Sequence, residues 1–261
     1  MPESLLPFVP IIFFLVATLY ASVGHAGASG YLAVMTLAVG LSEKTAGPTA
    51  LVLNLIVATL GTIQFQRAGL IPWRQLLPYI VGSIPFAWFA SRFVMGDDAY
   101  KIIVGLLLLF AAARLLFVTL SNREVHPPHD GVAILVGIVI GALAGLTRTG
   151  GGIFLTPVLI LMAWAKPKEA AGMSVAFILV NSAAGLTGRL MQPGGIDIPS
   201  EAVTWAIAAA LGGLLGSWYG AHRSGLVTLR RMLAIVLMLA AMKLLIPGWI
   251  ALMQRFATSQ P

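Results

Sequence analysis

Thr147-Arg148-Thr149-Gly150-Gly151-Gly152-Ile153-Phe154-Leu155-Thr156-Pro157 is the stretch from which the fold is read. It opens on glycines and runs into an apolar segment, predicted over about 151 to 163. Thirteen or so residues make a helix of about 20 Å, whereas roughly 30 Å of hydrocarbon separates the two faces of a bilayer. A related stretch, Gly24-His25-Ala26-Gly27-Ala28-Ser29-Gly30, precedes a second short segment at about 28 to 40. Non-helical backbone is tolerated at membrane depth only where protein packs around it or where it lines a cavity. Two short helices with glycine-rich starts therefore read as broken or re-entrant elements.

The rest of the chain supports lipid as the solvent. Of 261 residues, 59% are hydrophobic and 10% charged, and the mean hydropathy is +0.94. Strand-type alternation is absent, so the expected class is an all-α integral membrane protein with about 8 to 10 helical segments. Apolar runs place these at about 6 to 24, 28 to 40, 45 to 65, 74 to 92 and 99 to 119. A second series lies at about 131 to 147, 151 to 163, 168 to 190, 201 to 221 and 229 to 246. The start Met1-Pro2-Glu3-Ser4 lacks a basic n-region, so the first helix is expected to be retained. The net charge of +7 comes from Lys and Arg set singly or in pairs at the ends of apolar runs, which excludes a basic stripe for nucleic acid. With no cysteine, disulfides, thiolate metal sites and thiol nucleophiles are excluded.

Ser121 to Asp130, with Pro127-Pro128, is a linker, and splitting the chain there exposes an internal repeat. Residues 1-120 and 131-261 become two membrane repeats joined by 121-130. Gly27 falls on Gly150, Ala46-Gly47 on Ala171-Gly172, Thr49 on Ser174, Asn54 on Asn181, Gly61 on Gly188, Pro72 on Pro199 and Trp88 on Trp218. His25 falls on Arg148. Inverted repeats are favoured, because that arrangement gathers more Lys and Arg on the linker's face, which is then cytoplasmic.

Paired interruptions in two repeats point to a transporter's binding site between them. Helix N-termini offer unpaired N–H groups and partial positive charge, and glycine lets a ligand approach them. His25, Gly27, Ser29 and Gly30 from the first stretch, and Arg148, Thr149, Gly150, Gly151 and Gly152 from the second, are the candidate substrate-binding residues. Arg148 supplies a planar fork for paired oxygens of a small anion. Thr49 and Ser174 offer hydroxyls for an anion or for helix capping. Asn54 and Asn181 line the path or bond helices together. His25 either passes protons, the candidate coupling ion, or bonds a carbonyl. Arg67 and Arg189 lie at helix ends and read as interfacial anchors.

Other chemistries fit less well. Gly27-Ala28-Ser29-Gly30 matches the GxSG pattern of intramembrane serine proteases, but His126, His129 and His222 fall in the linker or at a helix end. The acids lie mostly in loops without ligand spacing, so no metal or other cofactor is expected, and no phosphate-binding GxxxxGK[ST] loop is present. A small bundle is compatible with a homodimer.

Gly150-Gly151-Gly152-Ile153-Phe154-Leu155-Thr156-Pro157, followed by Ala171-Gly172-Met173-Ser174 and Asn181 within a duplicated unit, resembles the TauE/SafE (TSUP) family of membrane permeases. The resemblance spans nearly the whole chain. It implies a secondary active transporter, not an enzyme, that exports sulfite, sulfoacetate or related organosulfonates across the bacterial inner membrane as a multi-pass protein. An anion channel or a carboxylate permease of the same fold is the alternative. In the first half the glycine triplet is Ala28-Ser29-Gly30 and Met35 stands where the proline is expected, so the halves are expected to contact substrate unequally.

Overall fold

The computed structural model describes residues 7–93, 124–192 and 195–225, with 105–106, 108–109, 112–113, 227–228, 231–232, 234–242 and 245–246. All regular structure among them is helical. The helices are α1 (Val9–Ser22), α2 (Ala28–Ala33, continued by a π-helix Val34–Val39), α3 (Glu43–Arg67) and α4 (Trp73–Ala90). After the linker come α5 (Asp130–Thr147), α6 (Gly152–Leu161), α7 (Pro167–Leu190) and α8 (Ala202–Trp218, continued by a π-helix Tyr219–Arg223). The segments expected at 99 to 119 and 229 to 246 lie partly outside the described residues, and their described residues are helical.

Among the described residues, four helices are long and apolar enough to cross a membrane: Lys44–Arg67, Asp130–Thr147, Pro167–Leu190 and Ala202–Arg223. Large apolar side chains line their outer faces, such as Val203, Ile207 and Leu211 on α8 and Leu135 and Val139 on α5. Lipid is the solvent that accepts such faces. It also removes the hydrophobic drive between helices, so close packing of small residues must hold the bundle together.

Glycine rows supply that packing. On α8, Gly212, Gly216 and Gly220 press on the carbonyls of Phe14, Thr18 and Ser22 on α1 so closely that a Cβ at any of them would collide with backbone. On α5, Gly137, Gly141 and Gly145 press in the same way on the carbonyls of Tyr79, Ser83 and Ala87 on α4. Each row advances four residues on both partners, so α1 runs parallel to α8, and α4 to α5. The central pair is opposite in sense. Gly61 of α3 meets Val175 of α7, while Leu51 of α3 meets Gly185 of α7. As one helix ascends the other descends, so α3 and α7 are antiparallel. The buried core centres on these two, with Asn54 and Ser182 among its polar members.

Candidate substrate-binding site

The site is built by two turns of the same design. α1 ends at Ser22, Gly24 adopts a left-handed conformation (φ 79°), and Gly27 (φ 96°) is the N-cap of α2. α5 ends at Thr147, Arg148 is left-handed (φ 55°), and Gly151 (φ 83°) is the N-cap of α6. Both turns use left-handed backbone, Gly24 and Gly27 in the first and Arg148, Gly150 (φ 75°) and Gly151 in the second, but four residues lie between Ser22 and the Gly27 cap and three between Thr147 and the Gly151 cap.

Neither short helix has a side chain bonded at its N-cap, and Asn54 joins the two. Its Oδ1 accepts from the N–H of Ala28, the first residue of α2, at 3.1 Å. Its Nδ2 donates to the Thr149 carbonyl and to Ser182 Oγ, both at 3.3 Å. Gly150 lies beneath this amide, since a Cβ there would be 3.2 Å from Asn54 Nδ2 and 2.8 Å from Ser182 Oγ. Asn54 sits near the middle of α3 and is fully buried, so both helix starts lie well inside the bundle.

Asn181 occupies the middle of α7. Its Nδ2 donates to the Phe177 carbonyl at 2.9 Å, leaving Oδ1 buried without a partner. His25 is buried against the backbone of Val23 and Gly152, and its Cδ2 would touch a Cβ at Gly152 at 3.4 Å. The Tyr31 hydroxyl is also buried and unpartnered, close over the backbone of Gly27. Polar atoms buried in this way cost free energy unless something meets them. The Tyr31 hydroxyl lies at the start of α2.

Arg148 is 5% exposed. Its side chain lies across Gly47 of α3, where a Cβ would be 2.6 Å from Nη1. The corresponding contact in the first half is backbone only: a Cβ at Gly24 would collide with the Ala171 carbonyl of α7.

Other expected residues are committed within the protein. Thr149 Oγ1 pairs with Thr147 Oγ1 at 2.8 Å. The Thr49 hydroxyl donates to the Thr45 carbonyl at 2.8 Å, and Ser174 Oγ accepts from Thr156 Oγ1 at 2.6 Å. Ser29 Oγ donates to the Tyr20 hydroxyl at 3.0 Å, while Gly30 packs on Val16 of α1. His126, His129 and His222 are exposed. No group of three or more His, Cys, Asp or Glu among the described residues is arranged to hold a metal.

A family model described as sulfite exporter TauE/SafE matches residues 9–244. The chain belongs to this family. Among curated TauE/SafE-like relatives, a probable membrane transporter protein, y4hK of Sinorhizobium fredii, is 34% identical over 240 residues, covering 90% of this chain and 96% of that protein. Probable membrane transporter YunE of Bacillus subtilis is 20% identical, covering 80% of each chain. Probable membrane transporter MJ0441 of Methanocaldococcus jannaschii is 27% identical, covering 71% of this chain and 73% of its own. No solved structure matches the chain. This TauE/SafE member is thus a membrane transporter and not an enzyme.

Sequence reasoning missed Ser182, Tyr20 and Tyr31, whose places depend on contacts between helices distant in the chain. It also misjudged Arg189. Instead of reaching an interface, Arg189 is 6% exposed and its Nη1 donates to Gln192 Oε1 at 3.4 Å. Gln192 Nε2 in turn donates to the Arg92 carbonyl at 2.8 Å, closing the ends of α4 and α7 together. Arg67 is exposed at its helix end.

Proposed function

We propose that this chain exports small sulfur-containing anions, such as sulfite or sulfoacetate, across the bacterial inner membrane. In this reading the anion binds between the starts of α2 and α6, with Arg148 as its cationic clamp. The observation that carries it is the backbone of Arg148. A left-handed conformation costs an L-residue about 1–2 kcal/mol that glycine avoids, and glycine holds every other left-handed position of the two turns, Gly24, Gly27, Gly150 and Gly151. An arginine kept there, buried in a membrane protein, is explained by what its side chain does. The start of α6, with no side chain bonded at its cap, adds partial positive charge. Asn54 bonds backbone at both turns, and the unpartnered Asn181 and Tyr31 atoms suit a ligand carrying a hydroxyl or proton.

The two-repeat architecture fits the same reading. Exchanging α1–α4 with α5–α8 maps the α1–α8 pair onto α5–α4 and leaves α3–α7 paired. The antiparallel course of α3 and α7, which correspond in the two halves, supports inverted rather than parallel repeats. The interrupted elements α1–α2 and α5–α6 then meet at the midplane, as alternating access between repeats requires. His25 is the candidate carrier of a coupling proton.

Thermal denaturation of purified wild type and Arg148→Ala with sulfite, sulfoacetate and lactate tests the assignment, because a ligand bound only to the native state raises its stability. A sulfur anion that stabilises wild type and not the variant supports the exporter. Stabilisation by lactate alone favours the carboxylate permease, and flux that fails to saturate with concentration favours a channel.

A further inference from the structure

A second cleft opens where the linker meets the start of α4, beside the turn that follows α6 and away from the starts of α2 and α6. Its volume is about 300 Å³, and Arg74, Gln75, Tyr79 and Asp130 are the polar residues of its wall, with Pro72 and Pro127 among the apolar ones. The start of α4 has Pro72 as N-cap and no side chain bonded there, and with the Gln75 N–H bonded to the Pro72 carbonyl at 3.0 Å those of Trp73 and Arg74 remain for an incoming acceptor. Tyr79 is fully buried by its neighbours, and its hydroxyl has no hydrogen-bond partner. Gln75 fixes one side of the cleft by donating Nε2 to the Trp164 carbonyl at 2.5 Å, and its Oε1 is left to accept. On the other side, His126 N donates to the Ala163 carbonyl at 3.0 Å and ties the linker down.

The charges decide what the cleft suits. Arg74 and Asp130 both line it, yet no ion pair joins either to any described residue. Opposite charges that share a cleft without touching one another fit a ligand carrying both signs. We propose that this cleft is a binding site for a zwitterion in which a short chain joins an acidic oxygen group to an ammonium group. The acidic oxygens accept from Arg74, the Tyr79 hydroxyl and the first turn of α4, and the ammonium donates to Asp130 and Gln75 Oε1. The same chemistry is offered by the headgroup of phosphatidylethanolamine and by a soluble zwitterion. Either occupant pins the linker against α4.

The test uses the full chain in phosphatidylglycerol nanodiscs, as wild type, Tyr79→Phe and Asp130→Asn. The melting temperature is read with and without soluble phosphoethanolamine, and again in discs containing phosphatidylethanolamine. Wild type is expected to melt several degrees higher with the ammonium-bearing group and to gain less from inorganic phosphate. Tyr79→Phe removes a hydroxyl with no partner, so it folds and melts near wild type without ligand while losing most of the shift. If phosphatidylethanolamine discs already give the full shift, the occupant is lipid; if only the soluble compound does, it is a free metabolite. The proposal is overturned if neither source shifts wild type, if inorganic phosphate matches phosphoethanolamine, or if both variants respond like wild type.

Discussion

The side-chain oxygen of Asn54 accepts the backbone N–H of Ala28 at 3.1 Å, so the middle of one spanning helix caps the start of the short helix beside it. The same amide reaches the Thr149 carbonyl and Ser182 of the second half. A single residue thereby sets the spacing of the two helix starts. Asn181 uses its amide nitrogen on its own helix, which leaves its oxygen a buried acceptor without a partner.

Asn54→Leu is expected to be destabilising, because it keeps the volume but strands the Ala28 N–H. Leaving a buried donor unmet costs about 1–3 kcal/mol. Asn181→Leu removes only a bond within α7 and is expected to fold near wild type while weakening ligand response. Melting curves of both variants with and without sulfite check the contrast, and equal loss of stability would contradict it.

Arg148→Gly relieves a left-handed side-chain-bearing residue and also removes the contacts of a buried guanidinium. Its expected signature is loss of most transport in proteoliposomes by protein that still folds. Transport at the wild-type rate would remove Arg148 from the site.

Gly47→Ala introduces a methyl group 2.6 Å from Arg148 Nη1, so the arginine must move. Strong reduction of flux with an unchanged melting temperature is expected, since the displaced atoms belong to a flexible side chain. Unchanged flux would show that the position of Arg148 is immaterial.

Gly216→Leu and Gly141→Leu drive side chains into the carbonyls of Thr18 and Ser83. Overpacking of this kind typically costs about 1–3 kcal/mol and is worse against backbone. Both are expected to lower the yield of monodisperse protein, whereas Gly225→Ala, with nothing within 4 Å, is expected to behave as wild type.

The chain has no cysteine, so single substitutions can be labelled from either side of the membrane without background. With α3 and α7 antiparallel, Gly69→Cys and Glu124→Cys are expected to react from one face, and Ser42→Cys and Asp197→Cys from the other. Labelling of all four from the same face would overturn the helix directions drawn from the glycine contacts.

Much of this protein was already legible in its residue pattern. The apolar runs end at Gly, Pro and charge, because lipid admits no exposed backbone polar groups, and α3, α5 and α7 begin and end within a few residues of those signals. The glycine stretches at 24–30 and 150–152 likewise fall where two short helices start. Helix directions and partners were not legible there. They depend on which glycine row meets which carbonyl row, and α1 meets α8 across nearly two hundred intervening residues. Arg189 was misread for a related reason: position near a helix end suggests an interface, and only the packing of α4 against α7 encloses it. Local composition thus determined the solvent and the helices. Tertiary structure alone brought Asn54 to Ala28 and Thr149, His25 to Gly152 and Arg148 to Gly47, because their proximity follows from long-range helix contacts and not from neighbouring residues.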